Sequence, residues 1–223
     1  MPYPTPPWFL QGHALLALHL VEVSRVRQLV PPEFNVISVL PGKTLGGVYF
    51  SRYEPGSVLQ YSELIVAPAL VSYGGKIGSW VTHIYVDNAD SVAGGREIWH
   101  LPKELADFTW EAGQRSRLSV RQQGKLLCAL DYGNPWALWS PPISAGSFSA
   151  SDTHLLWFKA QAELRPGWVQ AELEVPEASP FAPLHLQQPW LTLAAQDLRL
   201  TIDGPGVVGV RSSTPVEVKN TGN

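Results

Sequence analysis

Cysteine is almost missing from this chain, and so is concentrated charge. Cys128 stands alone, which excludes an internal disulfide, and its place in the apolar run KLLCAL reads as an inert core thiol rather than a nucleophile. A chain without disulfides fits a reducing compartment, so a cytoplasmic location is expected. Charged residues make up only 16% of the chain and the formal net charge is −3, with no basic block and no acidic tail. That leaves no electrostatic footprint for nucleic acid or for an anionic membrane surface. The apolar run near the start, FLQGHALLALHLVEV, has no basic residue before it, is interrupted by His13 and His19, and meets Glu22. It is expected to be neither a signal peptide nor a membrane span. Histidines at metal-ligand spacing are lacking: His83 alternates with apolar residues as a core histidine would, and His100, His154 and His185 have no partners. Gly74-Gly75 and Gly94-Gly95 lack the lysine–serine pair or strand-to-helix glycine fingerprint of a phosphate loop. No metal and no other cofactor is expected, and the partner is a small molecule or another protein.

What the chain does have is apolar bulk and turn chemistry. Hydrophobic residues account for 45% of 223 positions, enough to bury a sizeable core, and a single domain over residues 1–223 is expected. Nineteen glycines and twenty prolines punctuate short β-rich runs. APALVSYGGKIGSWVTHIYV turns at Gly74-Gly75, RLSVRQQGKLLCAL at Gly124, LLWFKAQAELRPGWVQAELEV at Pro166-Gly167, and DLRLTIDGPGVVGV at Gly204-Pro205-Gly206. Closely spaced turns predict an antiparallel sandwich or barrel. Helix signals are few: SRVRQLV before Pro31-Pro32, and DSVAGGREIWHL, with Asp90 as its N-cap, loosening before Pro102. The proline-rich, aromatic start PYPTPPWFL would expose costly apolar surface in a monomer, which predicts a homo-oligomer.

One stretch places a charge where it has to be explained. In GREIWHLPKELADF, Lys103 follows a short helix and a proline, among Trp99, Leu101, Leu105 and Phe108. Pro102 fixes its own φ and biases Leu101 to an extended shape, so the backbone entering Lys103 is stiff and can aim a side chain. A solvated lysine, with a pKa of about 10.4, is protonated at neutral pH and cannot attack a carbonyl; desolvation among apolar residues favours the neutral amine. On spacing alone the ordinary reading is a lysine that snorkels, keeping its ammonium in water.

The segment YSELIVAPALVSYGGKIGSWVTHIYVDNADSVAGGREIWHLPKELADF resembles the acetoacetate decarboxylase superfamily. Its members carry a Gly-Arg-Glu segment, a Pro-Lys a few residues on, and a glutamate upstream in a Tyr-X-Glu setting. The likeness extends more weakly from RQLVPPEF to SPFAPLHLQQPWLTLAAQDLRLTIDGP. It implies a mainly β fold, an antiparallel barrel or cone wrapped by a second sheet, with a few short helices and a largely apolar pocket. It puts Lys103 at the Schiff-base lysine and Glu63 at the active-site glutamate, which would handle protons around the carbinolamine and enamine. Arg96 and Glu97 match as well and read as a structural ion pair or hydrogen-bonding pair near the pocket, with Trp99 and Leu101 among its supporting residues. The implied function is a lyase forming a Schiff base through Lys103 on a β-keto acid or related carbonyl substrate. The family enzyme is itself a standing example of a lysine activated by desolvation or by a neighbouring cation.

Three departures stand against the likeness. Glu104 occupies the place of a second lysine, although side chains of neighbouring residues in an extended segment point to opposite faces. The arginine that decarboxylases carry on the first strand falls on Gly12, and the adjacent His13 is a poor bidentate substitute. A further acidic residue expected upstream of Glu63 has no counterpart in TLGGVYFS. The resemblance therefore implies something other than an efficient acetoacetate decarboxylase. The alternatives are a non-decarboxylating aldolase-dehydratase, or a non-catalytic pocket protein for an apolar, carotenoid- or lipid-like ligand, as in plant relatives linked to carotenoid formation. Trp80, Trp99, Trp136 and Trp139 could line a pocket for such a ligand, though most tryptophans in a β fold are core.

Overall fold

The run WFLQGHALLALHLVE forms one long strand, Trp8–Glu22, whose two faces serve different layers. Leu15, Ala17 and Val21 enter the main core, whereas Leu10 and Ala14 belong to a second cluster on the opposite face. The computed structural model describes residues 3–139, 142–186 and 188–212, and among these the chain is mainly β with two sheets.

The larger sheet has thirteen strands. Its hydrogen-bonded path runs Asn35–Val36, Ala69–Tyr73, Lys76–Trp80, Ile143–Ala150, His154–Trp168, Leu191–Ile202, Trp8–Glu22, Lys43–Tyr53, Tyr61–Ala67, His83–Val86, Lys103–Leu105. Trp136–Ala137 and Gly206–Val210 pair with His154–Trp168 off this path. The second sheet is four-stranded, in the order Ala171–Glu174, Lys125–Tyr132, Ser116–Gln122, Asp107–Glu111. Val48, Phe50, Leu64 and Val66 of the large sheet pack against Leu118, Val120, Cys128 and Leu130 of the small one. Burial raises the Cys128 thiol far above its usual range, so it stays a core thiol.

The expected barrel is corrected. The terminal strands of the large sheet, Asn35–Val36 and Lys103–Leu105, do not pair with each other, so the sheet curves without closing. The turns at Gly74-Gly75, Gln123-Gly124 and 203–205 fall where the sequence predicts them. Pro166-Gly167 is no turn: the strand His154–Trp168 runs through it, with a register shift between Glu163 and Arg165. The extra residue of that bulge is on the partner strand, between Gln196 and Arg199, and Pro166 and Gly167 pair with Ala195 and Ala194 in regular register.

The helix Ala89–Trp99 is capped by Asn88 rather than Asp90; the Asn88 side chain accepts the Ser91 N–H at 3.0 Å. It ends at His100, in left-handed backbone just ahead of Pro102. The N-terminal segment folds onto this helix. Trp8 meets Trp99 edge-on at 4.8 Å, and Tyr3, Trp8 and Leu10 are buried by the chain itself. Phe9 alone of the segment's large apolar side chains stays exposed, so the segment gives less reason for a partner subunit than its composition suggests.

Candidate active site

Antiparallel register builds one row of side chains across the large sheet. Glu63 stands opposite Ser51, and Ser51 opposite Ala14. Tyr53 stands opposite Tyr61 and Gly12. Directly paired residues project to the same side, so Glu63, Ser51, Tyr53 and Tyr61 share the face that carries the second cluster. The short strand that follows Pro102 lies parallel to His83–Val86, with Lys103 beside Ile84, and so brings its side chain to that face.

Lys103 is only 4% exposed and Glu63 3%. The ammonium nitrogen Nζ lies 2.8 Å from Glu63 Oε1 and donates to Ser91 Oγ at 3.0 Å. It also stands 5.0 Å from the ring centre of Tyr61 and 5.7 Å from that of Trp8. The other oxygen, Glu63 Oε2, accepts from Tyr53 OH at 3.2 Å, and Tyr53 OH is 3.3 Å from Tyr49 OH. Burial holds the Tyr53 and Tyr61 phenols well above their ordinary value and pushes Tyr49 up to about 12. All three remain neutral donors at physiological pH.

The helix explains how the lysine is aimed. Its side chain lies back over Gly95, where an added Cβ would come within 2.4 Å of Lys103 Cδ, and reaches Ser91 one turn earlier. The neighbouring Gly94 admits the Trp8 ring, 2.7 Å from where its Cβ would be. Close packing, not phosphate binding, is the use of this glycine pair. Arg96 Nε donates to the Lys103 carbonyl at 2.6 Å and so fixes the backbone beneath the amine. Glu97 accepts from Tyr3 OH. Arg96 and Glu97 therefore have separate partners and do not pair with each other as the sequence reading had it.

Trp99 is buried beside Trp8 and donates to the Asp203 carbonyl at 2.9 Å. Leu101 packs in both clusters on the site face. Glu104 points away: it is exposed and accepts from Gln122 Nε2 at 2.7 Å. Trp136 and Trp139 are exposed, and the Trp80 indole donates to the Leu29 carbonyl. His13 faces Glu54 across 3.4 Å on the other side of its strand. His83 contacts Thr82 Oγ1 at 3.0 Å and stacks near Tyr85 and Phe181, away from the amine.

Gly12 could not hold an arginine as it stands. A Cβ there would lie 2.0 Å from the Arg52 carbonyl oxygen, and its φ of +155° is one that side chains rarely adopt. Where the sequence lacks a second carboxylate, the fold supplies hydroxyls, Tyr49, Ser51 and Tyr53. These, with Trp8, Tyr61 and Ser91, are the site residues that sequence reasoning passed over. The period-two pattern of YFSRY and of YSE would have placed each set on one strand face.

A cavity of about 570 Å³ lies away from this site, in a groove lined by Phe9, Gln11, Ile143, Gln161, Arg199 and Thr201. The chemistry, not the volume, marks Lys103 as the candidate: a buried amine against a buried carboxylate. Among the described residues no group of three His, Cys, Asp or Glu side chains could hold a metal ion, and no helix is long and apolar enough to cross a membrane.

The family model for acetoacetate decarboxylase (ADC) matches residues 1–188. The chain belongs to the acetoacetate decarboxylase family. It is 33% identical to Protein NEOXANTHIN-DEFICIENT 1 of Oryza sativa subsp. japonica over 104 residues, 47% of this chain. The chain spans about a third of that curated relative, 34% of its length. Among solved structures, the acetoacetate decarboxylase of Legionella pneumophila superimposes with a TM-score of 0.77 at 17% identity, covering 94% of this chain and 90% of the other. The enduracididine biosynthesis enzyme MppR, complexed with the condensation product of pyruvate and imidazole 4-carboxaldehyde, gives 0.70 at 13% identity, with 93% and 91% covered. These structural likenesses establish a shared mainly β fold.

Proposed function

We propose that this family member is a Schiff-base-forming lyase in which Lys103 attacks a carbonyl compound, a β-keto acid or a related ketone or aldehyde. The observation that carries this reading is the buried Lys103–Glu63 contact of 2.8 Å. A proton passed from Nζ to Glu63 leaves the nucleophilic amine. The amine adds to the carbonyl carbon, Glu63 returns the proton to the departing oxygen, and loss of water gives a protonated imine. That cation draws in the electron pair released when a neighbouring carbon–carbon bond breaks, as CO₂ leaves a β-keto acid. Protonation of the enamine and hydrolysis free Lys103.

Acetoacetate is a poor substrate on this reading, because Gly12 offers no guanidinium to its carboxylate. Aldol condensation with dehydration would use the same imine, and MppR holds a condensation product of pyruvate and an aldehyde. A second reading, binding of an apolar ligand, is favoured by half-buried Leu16, Leu18, Leu191 and Leu193, which extend the site face beyond Tyr49. The name of the rice relative is compatible with it. Exposed Trp136, Trp139 and Trp190 supply apolar surface for self-association. Light scattering showing a 24.5 kDa particle would remove the oligomer from the account.

The test is product analysis by NMR on a panel of keto acids, ketones and aldehydes. Turnover lost in Lys103→Ala and reduced about 10²-fold or more in Glu63→Gln is expected. Turnover that survives Lys103→Ala would overturn the lyase reading.

A further inference from the structure

Ser51 is fully buried, and its hydroxyl makes no hydrogen bond of good geometry, although it lies close enough to the Tyr49 and Tyr53 phenols to interact with both. It is not an ordinary core serine. It faces Glu63 across the strand pair, on the side where Lys103 Nζ meets that carboxylate. The side chains of its two neighbours go the other way, Phe50 into the core between the sheets and Arg52 to solvent. The Tyr49 and Tyr53 phenols feel the Ser51 hydroxyl, which partly offsets the upward push of burial on both. A buried hydroxyl that forgoes water without gaining a partner is unfavourable. This one lies on the strand face that carries Glu63, where a substrate oxygen would give it a partner of better geometry.

We propose that Ser51, with the phenols of Tyr49 and Tyr53, forms a neutral oxygen subsite selecting carbonyl compounds whose second oxygen, one or two carbons from the reacting carbonyl, is uncharged. The proposal rests on the Lys103 imine reading and names its substrate class. Hydroxyl and phenol groups both donate and accept, so they suit an alcohol or a second carbonyl oxygen. A carboxylate in the same place would bring a second negative charge up to Glu63, with no guanidinium at Gly12 to offset it. Discrimination against a charged second oxygen therefore follows from the residues that are present as well as from the missing arginine.

Three probes share the methyl ketone and differ in the substituent: 2-pentanone, 4-hydroxy-2-pentanone and acetoacetate. Each is incubated with the full chain and cyanoborohydride, and the rate of reduced adduct formation on Lys103 is followed by mass mapping. The hydroxyketone should label at least about tenfold faster than 2-pentanone, roughly 1.4 kcal/mol, and acetoacetate more slowly than either. In Ser51→Ala the ratio of hydroxyketone to ketone should fall below about threefold, and Ser51→Cys, which keeps the shape with a weak donor, should give an intermediate ratio. Labelling without preference, or a ratio unmoved by both substitutions, would overturn the subsite while leaving the imine reading in place. No label on Lys103 with any probe would overturn both.

Discussion

Gly95→Ala separates the aiming of Lys103 from the stability of the fold. A Cβ on Gly95 would lie 2.4 Å from Lys103 Cδ and 2.8 Å from Cε, whereas carbon atoms in contact settle at about 3.5 to 4.0 Å. The lysine chain must therefore move by roughly 1 Å. The move comes out of contacts with no slack, 2.8 Å to Glu63 and 3.0 Å to Ser91. A misplacement of about 1 Å at reacting atoms costs on the order of 10²-fold in rate. The helix itself gains, since alanine is favoured over glycine by up to about 1 kcal/mol in a helix interior. The expected result is a melting temperature by circular dichroism close to that of the parent, with borohydride trapping on Lys103 slowed about 10²-fold. Gly94→Ala is the contrast: its Cβ meets the rigid Trp8 ring at 2.7 Å, so overpacking should cost about 1 to 3 kcal/mol of stability. Trapping in folded Gly95→Ala within about threefold of the parent rate would refute the argument that this glycine aims the amine.

Glu104→Gln should change the trapping rate by less than about twofold, because an exposed carboxylate interacts weakly with a distant amine through solvent; a tenfold effect would put Glu104 in the site. Gly12→Arg should destabilise the chain in urea titrations by about 2 kcal/mol or more, since the new Cβ meets the Arg52 carbonyl, and it should not raise CO₂ release from acetoacetate. Burial pushes the His19 imidazole from 6.5 down to about 4, so between those values the unfolded chain binds a proton that the folded chain excludes. This share of the stability is full above pH 6.5 and falls with pH towards 4. It amounts to about 2 kcal/mol between pH 7 and pH 5. His19→Leu should flatten that slope in urea titrations at the two pH values, and an unchanged slope would show that another group causes it.

Residues close in sequence were legible, and their long-range partners were not. Pro102, the helix ahead of it and the apolar neighbours mark Lys103, and the Tyr-X-Glu setting marks Glu63, because local backbone geometry decides which way each can point. Trp8 reaches the amine through the docking of the N-terminal strand on the helix Ala89–Trp99, far away in sequence, and no local pattern announces that contact; Ser91 reaches it because Lys103 folds back along that helix. Tyr49, Ser51 and Tyr53 alternate visibly, yet an alternating strand does not say which of its faces meets the site; the register with Tyr61–Ala67 decides it. The same holds for the sheet. Hairpin turns were readable from glycine, whereas closure depends on whether Asn35–Val36 and Lys103–Leu105 meet, a property of accumulated twist that no single segment encodes. Pro166-Gly167 misled because a turn-forming pair can also sit within a strand, here paired with Ala195 and Ala194.

Reductive trapping at pH 7 to 8 tests the central claim most directly. The folded chain is mixed with a ketone or aldehyde and borohydride, digested, and mapped by mass spectrometry. One reduced adduct is expected on Lys103, absent from solvated Lys125, and lost in Lys103→Ala while that variant keeps its β circular dichroism spectrum. An adduct spread evenly over exposed lysines, or none on Lys103 with any carbonyl compound, would contradict it.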